Sequence, residues 1–384
     1  MKIKKLIIFF VLMSILSGCW DVTESERMIY IYGVGVDYKD DKYHVYAQIV
    51  NFANIAKMEQ PNTESIQIEV GHASGNTIDE AIFELYHSMD LRLFWGNFSF
   101  LIFSEEALKD GKANSVINSF IRYRETRYQA WVYATTEPVK DVLLLTPIFN
   151  KSMTLSRISD PMNSYEQESF VEPIDIRKLI IRLNEPNHEV SIPLITIKGN
   201  WDTEKEPDDI AAISGVGVLS PNEFKGFIKG DKANGLQWMT NETKRGEITV
   251  NLEPQMENYM TVILDDIKVK VDPIVVNNDV VKFDINVSVN ADVSVFQGNI
   301  TSEEIRKGVI KQVKKEINET YKEGLKNDID IYRLSEQVYR KNVKTWKKQQ
   351  TDGKIKLNED SIRNLNVSVI KVYSGRNSFK ETIQ

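Results

Sequence analysis

The plainest periodicity in the chain lies between Val281 and Val295, where apolar and polar side chains alternate without a break. The odd positions read Val, Phe, Ile, Val, Val, Ala, Val and Val; the even ones are Lys282, Asp284, Asn286, Ser288, Asn290, Asp292 and Ser294. Successive side chains of a strand point to opposite faces, so this pattern predicts one buried and one wet face in an antiparallel sheet. Tyr259–Val271 is the expected partner strand. Thr301-Ser302-Glu303-Glu304 then offers an oxygen acceptor and acids to the orphan amides of a helix start. Ile305, Val309, Val313, Ile317 and Tyr321 fall on one face of that helix. A second helix is expected from Ile331 to about Lys348 and a returning strand at Leu365–Val372, giving the order ββααβ.

Upstream the pattern is less regular. Arg27–Asp37 and Tyr43–Phe52 are rich in β-branched and aromatic residues and flank a polar turn, which predicts a hairpin, with Ile66–Val70 as a third strand. Asn76-Thr77 can cap a helix whose inner face is Ile78, Ala81, Ile82 and Leu85. Phe98–Phe103 and Tyr128–Thr135 are expected as strands, Asn114–Ile121 and Pro138–Leu145 as helices. Such alternation predicts a sheet with helices packed on one side. Asn150–Glu172 is polar and poorly periodic, a linker or a long surface loop. Beyond it come a helix at Ile174–Leu183 and strands at Glu189–Lys198 and Ile210–Leu219, the last pairing with Glu223–Lys229 across Ser220-Pro221-Asn222. Asn200–Asp209 is acidic and expected as a solvated loop. The expected division is 1–18 as a leader, 19–165 as a first α+β domain, 166–255 as a middle domain and 256–384 as the ββααβ domain.

The leader changes the picture most. Lys2, Lys4 and Lys5 precede an apolar run, Leu6–Leu16, interrupted only by Ser14. About 11 residues of helix reach roughly 16 Å, half of a bilayer's ~30 Å hydrocarbon core, so the run fits a secretory signal and not a span. It ends in Leu16-Ser17-Gly18-Cys19, which resembles the lipobox of bacterial lipoproteins. That resemblance implies cleavage between Gly18 and Cys19, with S-diacylglycerol and an N-acyl group placed on Cys19. One acyl chain binds membrane reversibly, and each further buried methylene contributes about 0.8 kcal/mol, so two or three long chains make release negligible. Cys19 is the sole cysteine of the 384 residues, so no internal disulfide is available. The formal charge is −7, and loss of the leader removes three lysines and no acid. An acidic chain is repelled by nucleic acid and by anionic headgroups, which leaves the lipid as the membrane attachment.

Chemistry-bearing constellations are sparse. His44, His72, His87 and His188 show no metal-ligand spacing, although His44 and His72 could meet across two strands. Gly33-Val34-Gly35 lacks the third glycine of a dinucleotide loop and suits a close-packed or bulged strand. In Gly71-His72-Ala73-Ser74-Gly75 the serine stands one position too late for a nucleophile elbow. Asp208-Asp209 and Asp265-Asp266 send adjacent side chains in different directions. Lys341, Lys344, Lys347 and Lys348 with Trp346 read as a solvated helix end or an amphipathic membrane patch. No catalytic residue, metal ligand or cofactor is expected, and no ligand-binding residue is assigned.

An ordered set of motifs resembles the Ger(x)C family of spore germination lipoproteins. Cys19-Trp20-Asp21 with Glu24 and Glu26 is similar to its mature start, Gly33-Val34-Gly35-Val36-Asp37 to its Gly-x-Gly-x-Asp strand end, and Gly75-Asn76-Thr77-Ile78-Asp79-Glu80-Ala81 to its helix entry. Arg92-Leu93-Phe94-Trp95, Phe98–Phe103 and Ser104-Glu105-Glu106-Ala107 continue the match, followed by Arg122, Arg124, Glu125 and Arg127. Phe224-Lys225-Gly226-Phe227 and Gly235-Leu236-Gln237-Trp238-Met239 complete it. Asn97, Val22 and Thr23 depart from the family pattern, which has histidine near the first and a basic pair at the others. The resemblance implies a three-domain α+β lipoprotein with mixed or antiparallel sheets and helices packed on them. It also implies a non-enzymatic C subunit of a GerA-type nutrient germinant receptor, working with integral-membrane A and B subunits at the spore inner membrane. The rival reading is an extracytoplasmic solute-binding lipoprotein that takes up the nutrient itself; a cell-wall-directed enzyme comes last.

Overall fold

The structure is a computed structural model and describes residues 28–50, 68–122, 127–204, 207–221, 223–253, 258–276, 280–293 and 300–373. Two sheets organise it. The larger is built from β1 (Met28–Lys39), β2 (Lys42–Val50), β3 (Ile68–Gly75), β4 (Arg92–Phe94), β5 (Phe100–Ser104), β6 (Trp131–Thr135), β7 (Val190–Asp202), β8 (Pro207–Leu219) and β9 (Phe224–Lys229). Its order is β3-β2-β1-β5-β6-β7-β8-β9, with β4 beside β1. The centre, β1-β5-β6-β7, is parallel and both flanks are antiparallel.

Parallel neighbours need crossovers, and the crossovers bring helices to both faces, not to the one side expected. On one face lie α1 (Ile78–His87), α2 (Glu105–Leu108), α3 (Lys112–Arg122) and, after the two helices that follow them in the chain, α6 (Ile176–Asn184). Those two are α4 (Val139–Leu144), which covers the opposite face over Phe100, Ile102 and Tyr133, and α5 (Pro161–Gln167). Phe100, Leu101, Ile102 and Phe103 are all fully buried, alternating between the two cores. The Gly33–Gly35 stretch is the close-packed, bulged strand expected: the register shifts between Ile31 and Gly33, and a Cβ at Gly33 would collide with the Phe100 ring.

The second sheet runs β10 (Gly246–Glu253), β11 (Asn258–Val276), β12 (Val280–Asp292) and β15 (Ile362–Tyr373), with the last pair parallel. A small hairpin, β13 (Gln350–Thr351) and β14 (Lys354–Ile355), stands apart. Helices α7 (Ser302–Lys326), α8 (Leu334–Lys341) and α9 (Val343–Gln349) connect β12 to β15. The alternation from Val281 is realised as expected: the odd residues through Val293 are buried in one core with Ile305, Val309, Val313, Ile317 and Tyr321 of α7. Ser294 and Val295 lie outside the described residues. Thr301 and Glu304 form a reciprocal capping box at the start of α7.

The α+β class stands. Several expectations about local structure change. Asn150–Glu172 is neither linker nor free loop: Met153, Ile158 and Tyr165 are buried, the Tyr133 hydroxyl donates to the Ile158 carbonyl at 2.9 Å, and Pro161 opens α5. Its few anchors are too widely spaced to leave a period. Asn200–Asp209 is not simply a loop: β7 and β8 extend into it and pair there, with Trp201 opposite Asp208. The single late helix is two, because Asn342 takes a non-helical backbone and its side chain caps α9 by accepting from the Thr345 amide at 3.1 Å. Gly71–Gly75 is the end of β3 and not an elbow. Residues 166–255, expected as a middle domain, contribute β7, β8 and β9 to the first sheet and β10 to the second. No local signal reveals that β7 docks in parallel on β6.

Candidate functional site

Cys19 and Gly18, expected as the lipid-attachment and cleavage residues, lie outside the described residues, as do Trp20, Asp21, Arg124 and Glu125. Among the described residues no helix is long and apolar enough to cross a membrane, and no group of three or more His, Cys, Asp or Glu could hold a metal ion. The basic cluster is partly absorbed by packing. Lys341 pairs with Asp272 at 2.8 Å, and Trp346, partly buried against the second core, meets Tyr339 edge-on. Of the histidines, His87 pairs with Glu84 on the surface, His188 donates from Nδ1 to the Leu183 carbonyl, and His44 and His72 meet at 3.0 Å.

The motif residues divide between local stapling and long-range joining. Thr77 Oγ1 accepts from the Glu80 amide, and the Glu80 carboxylate accepts from the Asn76 amide at 2.7 Å, so the helix entry is closed reciprocally. The Asn76 hydrogen bonds hold the Glu80 carboxyl below its ordinary range. Gly235–Trp238 closes a 3-10 stretch, Gly230–Trp238, laid on α7, with Met239 as its C-cap. The Trp238 indole donates to Glu316 at 2.6 Å and the Gly235 amide to Thr320 at 2.9 Å. Glycine is required at 235: a Cβ would meet the Glu316 carbonyl, the Tyr332 hydroxyl and Thr320. Burial pushes the Glu316 carboxyl up, against the opposing effect of Trp238 and Gln312.

The most elaborate polar arrangement lies where the two lobes join. An apolar cluster forms its floor: Val171, Val216, Val218 and Ile228 from the first lobe meet Ile329 and Ile331 from the loop before α8. Above it Glu189, 3% exposed, enters β7 with its carboxylate accepting from Lys354 Nζ at 2.9 Å and from the Asp330 amide at 2.8 Å. The Glu189 carbonyl accepts from Arg333, whose guanidinium also pairs with Glu336 at 2.6 Å and Glu185 at 3.5 Å. Lys354 further pairs with Asp328 at 2.8 Å. Asp330 caps α8 by accepting from the Leu334 and Ser335 amides at 2.8 and 2.7 Å. Burial pushes both the Glu189 and the Asp330 carboxyl up.

The backbone is forced there too. Asn187, His188, Asp328, Arg333 and Asp352 all hold positive φ, and Gly353 at φ +80° lies under the His188 ring where a side chain would not fit. Left-handed residues outside glycine persist only where surrounding contacts over-determine them. The sequence reading missed this joint altogether. Its residues are scattered singly over 165 positions, from Glu189 to Lys354; the one legible sign was an acid, Glu189, at the mouth of an apolar strand. Chemically the joint holds carboxylates and cations in mutual neutralisation and offers no free nucleophile-base pair.

The family matches divide the chain at a different point, between β7 and β8 of the large sheet. The family described as "Spore germination protein N-terminal domain" matches residues 21–197, and "Spore germination B3/ GerAC like, C-terminal" matches residues 214–369. The chain belongs to the Ger(x)C family of spore germination proteins. This Ger(x)C chain is 25% identical over 371 residues to "Spore germination protein KC" of Bacillus subtilis (strain 168), covering 88% of this chain and 87% of that one. It is 22% identical over 287 residues to "Spore germination protein B3" of the same organism, covering 71% and 69%. The solved structure titled "Crystal Structure of the GerBC protein" superposes with a TM-score of 0.53 at 16% identity, covering 88% of this chain and 96% of that one, so the fold is shared.

Proposed function

We propose that this Ger(x)C protein is the lipid-anchored, non-catalytic C subunit of a spore nutrient germinant receptor. Acyl chains on Cys19 hold it at the extracytoplasmic face of the membrane, the inner membrane in a dormant spore, where it docks on integral-membrane A and B subunits. The observation that carries the reading is the likeness to a spore germination protein over 88% of the chain, joined to the basic–apolar–Cys19 start. Anchoring confines a folded body to a thin layer and so raises its effective concentration at the other subunits by a large factor without any new contact. The joint at Glu189 and Lys354 makes the two lobes one unit, so that a force or displacement on one is carried to the other. In cells making the variant at normal level, Cys19→Ala is expected to leave the fold intact and to lower receptor assembly and germination. Full germination by unlipidated protein defeats the proposal.

A second reading, direct binding of a nutrient, is favoured by one observation. A cleft of about 280 Å³ beside β7 and β8 is lined by Tyr133, Arg157, Tyr165, Lys198 and Trp201. That is at the lower limit of the roughly 300–1,000 Å³ typical of ligand pockets. Calorimetry of the purified chain against small nutrients separates the two: micromolar binding abolished by Trp201→Ala supports this second role.

A further inference from the structure

We propose that His44 and His72 form a binding site for a divalent transition-metal ion. The two residues come from β2 and from β3, the edge strand of the large sheet, two rungs apart: Asp37, His44 and Ser74 share one, Tyr46 and His72 the next but one. Residues two apart on a strand point the same way, so both imidazoles, Tyr46 and Asp37 rise from one face. The rings lie 4° from parallel, with His44 Nδ1 3.0 Å from His72 Nε2 and the Tyr46 ring stacked 4.5 Å from His72.

The second nitrogen of His44 decides the tautomer. Nε2 lies 3.2 Å from the Lys39 carbonyl, which can only accept, so Nε2 carries the proton and Nδ1 presents its lone pair to His72. A carbonyl that fixes the far nitrogen of a histidine is the usual outer support of a metal ligand. His72 is free to take the complementary tautomer with Nε2 as donor atom. On metal binding His72 gives up its Nε2 proton and takes one at Nδ1 through solvent, so the ring stays neutral with no net proton release, and two nitrogen–metal bonds replace one hydrogen bond.

The spacing points to a class of ion. Two bonds of about 2.05 Å set their nitrogens about 2.9 Å apart at a right angle and about 3.3 Å apart at a tetrahedral angle. The observed 3.0 Å fits the right angle. Imidazole pairs at right angles suit square-planar or octahedral copper(II) and nickel(II), with water filling the other positions, and oxygen-seeking calcium or magnesium does not compete for nitrogen. Among the described residues no third His, Cys, Asp or Glu completes the set. Of the charged neighbours, Asp37 favours the cation and Lys140 of α4 opposes it. Bound metal would cross-link the edge strand β3 to β2.

The test is titration of the untagged full chain in detergent micelles with nickel or copper chloride near neutral pH, followed by calorimetry. The expected result is one saturable site whose affinity falls at least about tenfold in His44→Asn and in His72→Asn and is unchanged in His87→Asn. Electron paramagnetic resonance of the copper-loaded wild-type chain gives a readout that needs no variant, and two imidazole nitrogens are expected. Absence of saturable binding, equal affinity in the variants, or a copper spectrum with one nitrogen or none overturns the site.

Discussion

The two sheets bury their residues by different rules. In the large sheet helices cover both faces, and every residue of β5 from Phe100 to Ser104 is buried. In the smaller one α7 covers a single face and β12 alternates buried with half-buried or exposed side chains. The outward side is wet and polar: Asn366 donates to Asn286 at 3.2 Å, and Asn364 to Asp284 at 2.9 Å. One lobe is therefore closed scaffold, whereas the other keeps one polar sheet face exposed.

Consecutive substitutions test that difference most severely. In β5 both Leu101→Ala and Ile102→Ala are expected to cost about 3 kcal/mol, since each empties a different core. In β12 Ile285→Ala should cost a similar amount, while Asn286→Ala beside it stays within about 0.5 kcal/mol. Urea unfolding reads both pairs, and a β12 pair of equal cost breaks the comparison. At the joint, Glu189→Ala removes one partner of a buried pair and leaves the Asp330 amide without its acceptor. A loss of about 3 kcal/mol is expected, with the transitions of the two lobes separating in calorimetry. Thr301→Ala deletes half of the α7 capping box and should lower stability by about 1 kcal/mol, read as a shift in the urea midpoint.

Titration sharpens the contrast at smaller scale. Glu316 has its folded pKa raised by burial, so the folded state holds that proton more tightly than the unfolded chain does. Its contribution to stability is present below the ordinary glutamate range and is lost as pH rises through the raised value. Glu172 behaves in the opposite way. Burial pushes it up, but Arg182 and Lys178 outweigh burial, its carboxyl sits below the ordinary range, and its contribution is lost as pH falls. Glu316→Gln is expected to flatten the decline of stability above the glutamate range and leave the acid limb unchanged. An unaltered upper limb in unfolding experiments across pH refutes the assignment.

The same difference explains what could be read from the residues alone. A one-faced sheet writes its register into the chain: Val281 through Val293 and the stripe from Ile305 to Tyr321 both meet in a single core. A two-faced sheet erases its period, so Phe98–Phe103 announced a strand but not its neighbours, and the parallel docking of β7 on β6 through Ala134 and Thr135 left no mark. β10 went unread because Gly246–Glu253 follows a turn-rich stretch and, among its described side chains, the buried apolar ones are Ile248 and Val250. The joint was invisible for a further reason. Glu189, Asp330, Arg333 and Lys354 acquire meaning only when the chain has closed on itself, whereas the His44 and His72 meeting follows from two adjacent strands and was within reach.

The central claim is that a folded two-lobed body becomes membrane-resident through the sulfur of Cys19. Mass spectrometry of the N-terminal peptide from the membrane fraction tests it most directly. The expected peptide begins at Cys19 and carries the mass of a diacylglyceryl thioether with an added N-acyl chain. A peptide with a free Cys19 thiol, or one still joined to Gly18, contradicts the account.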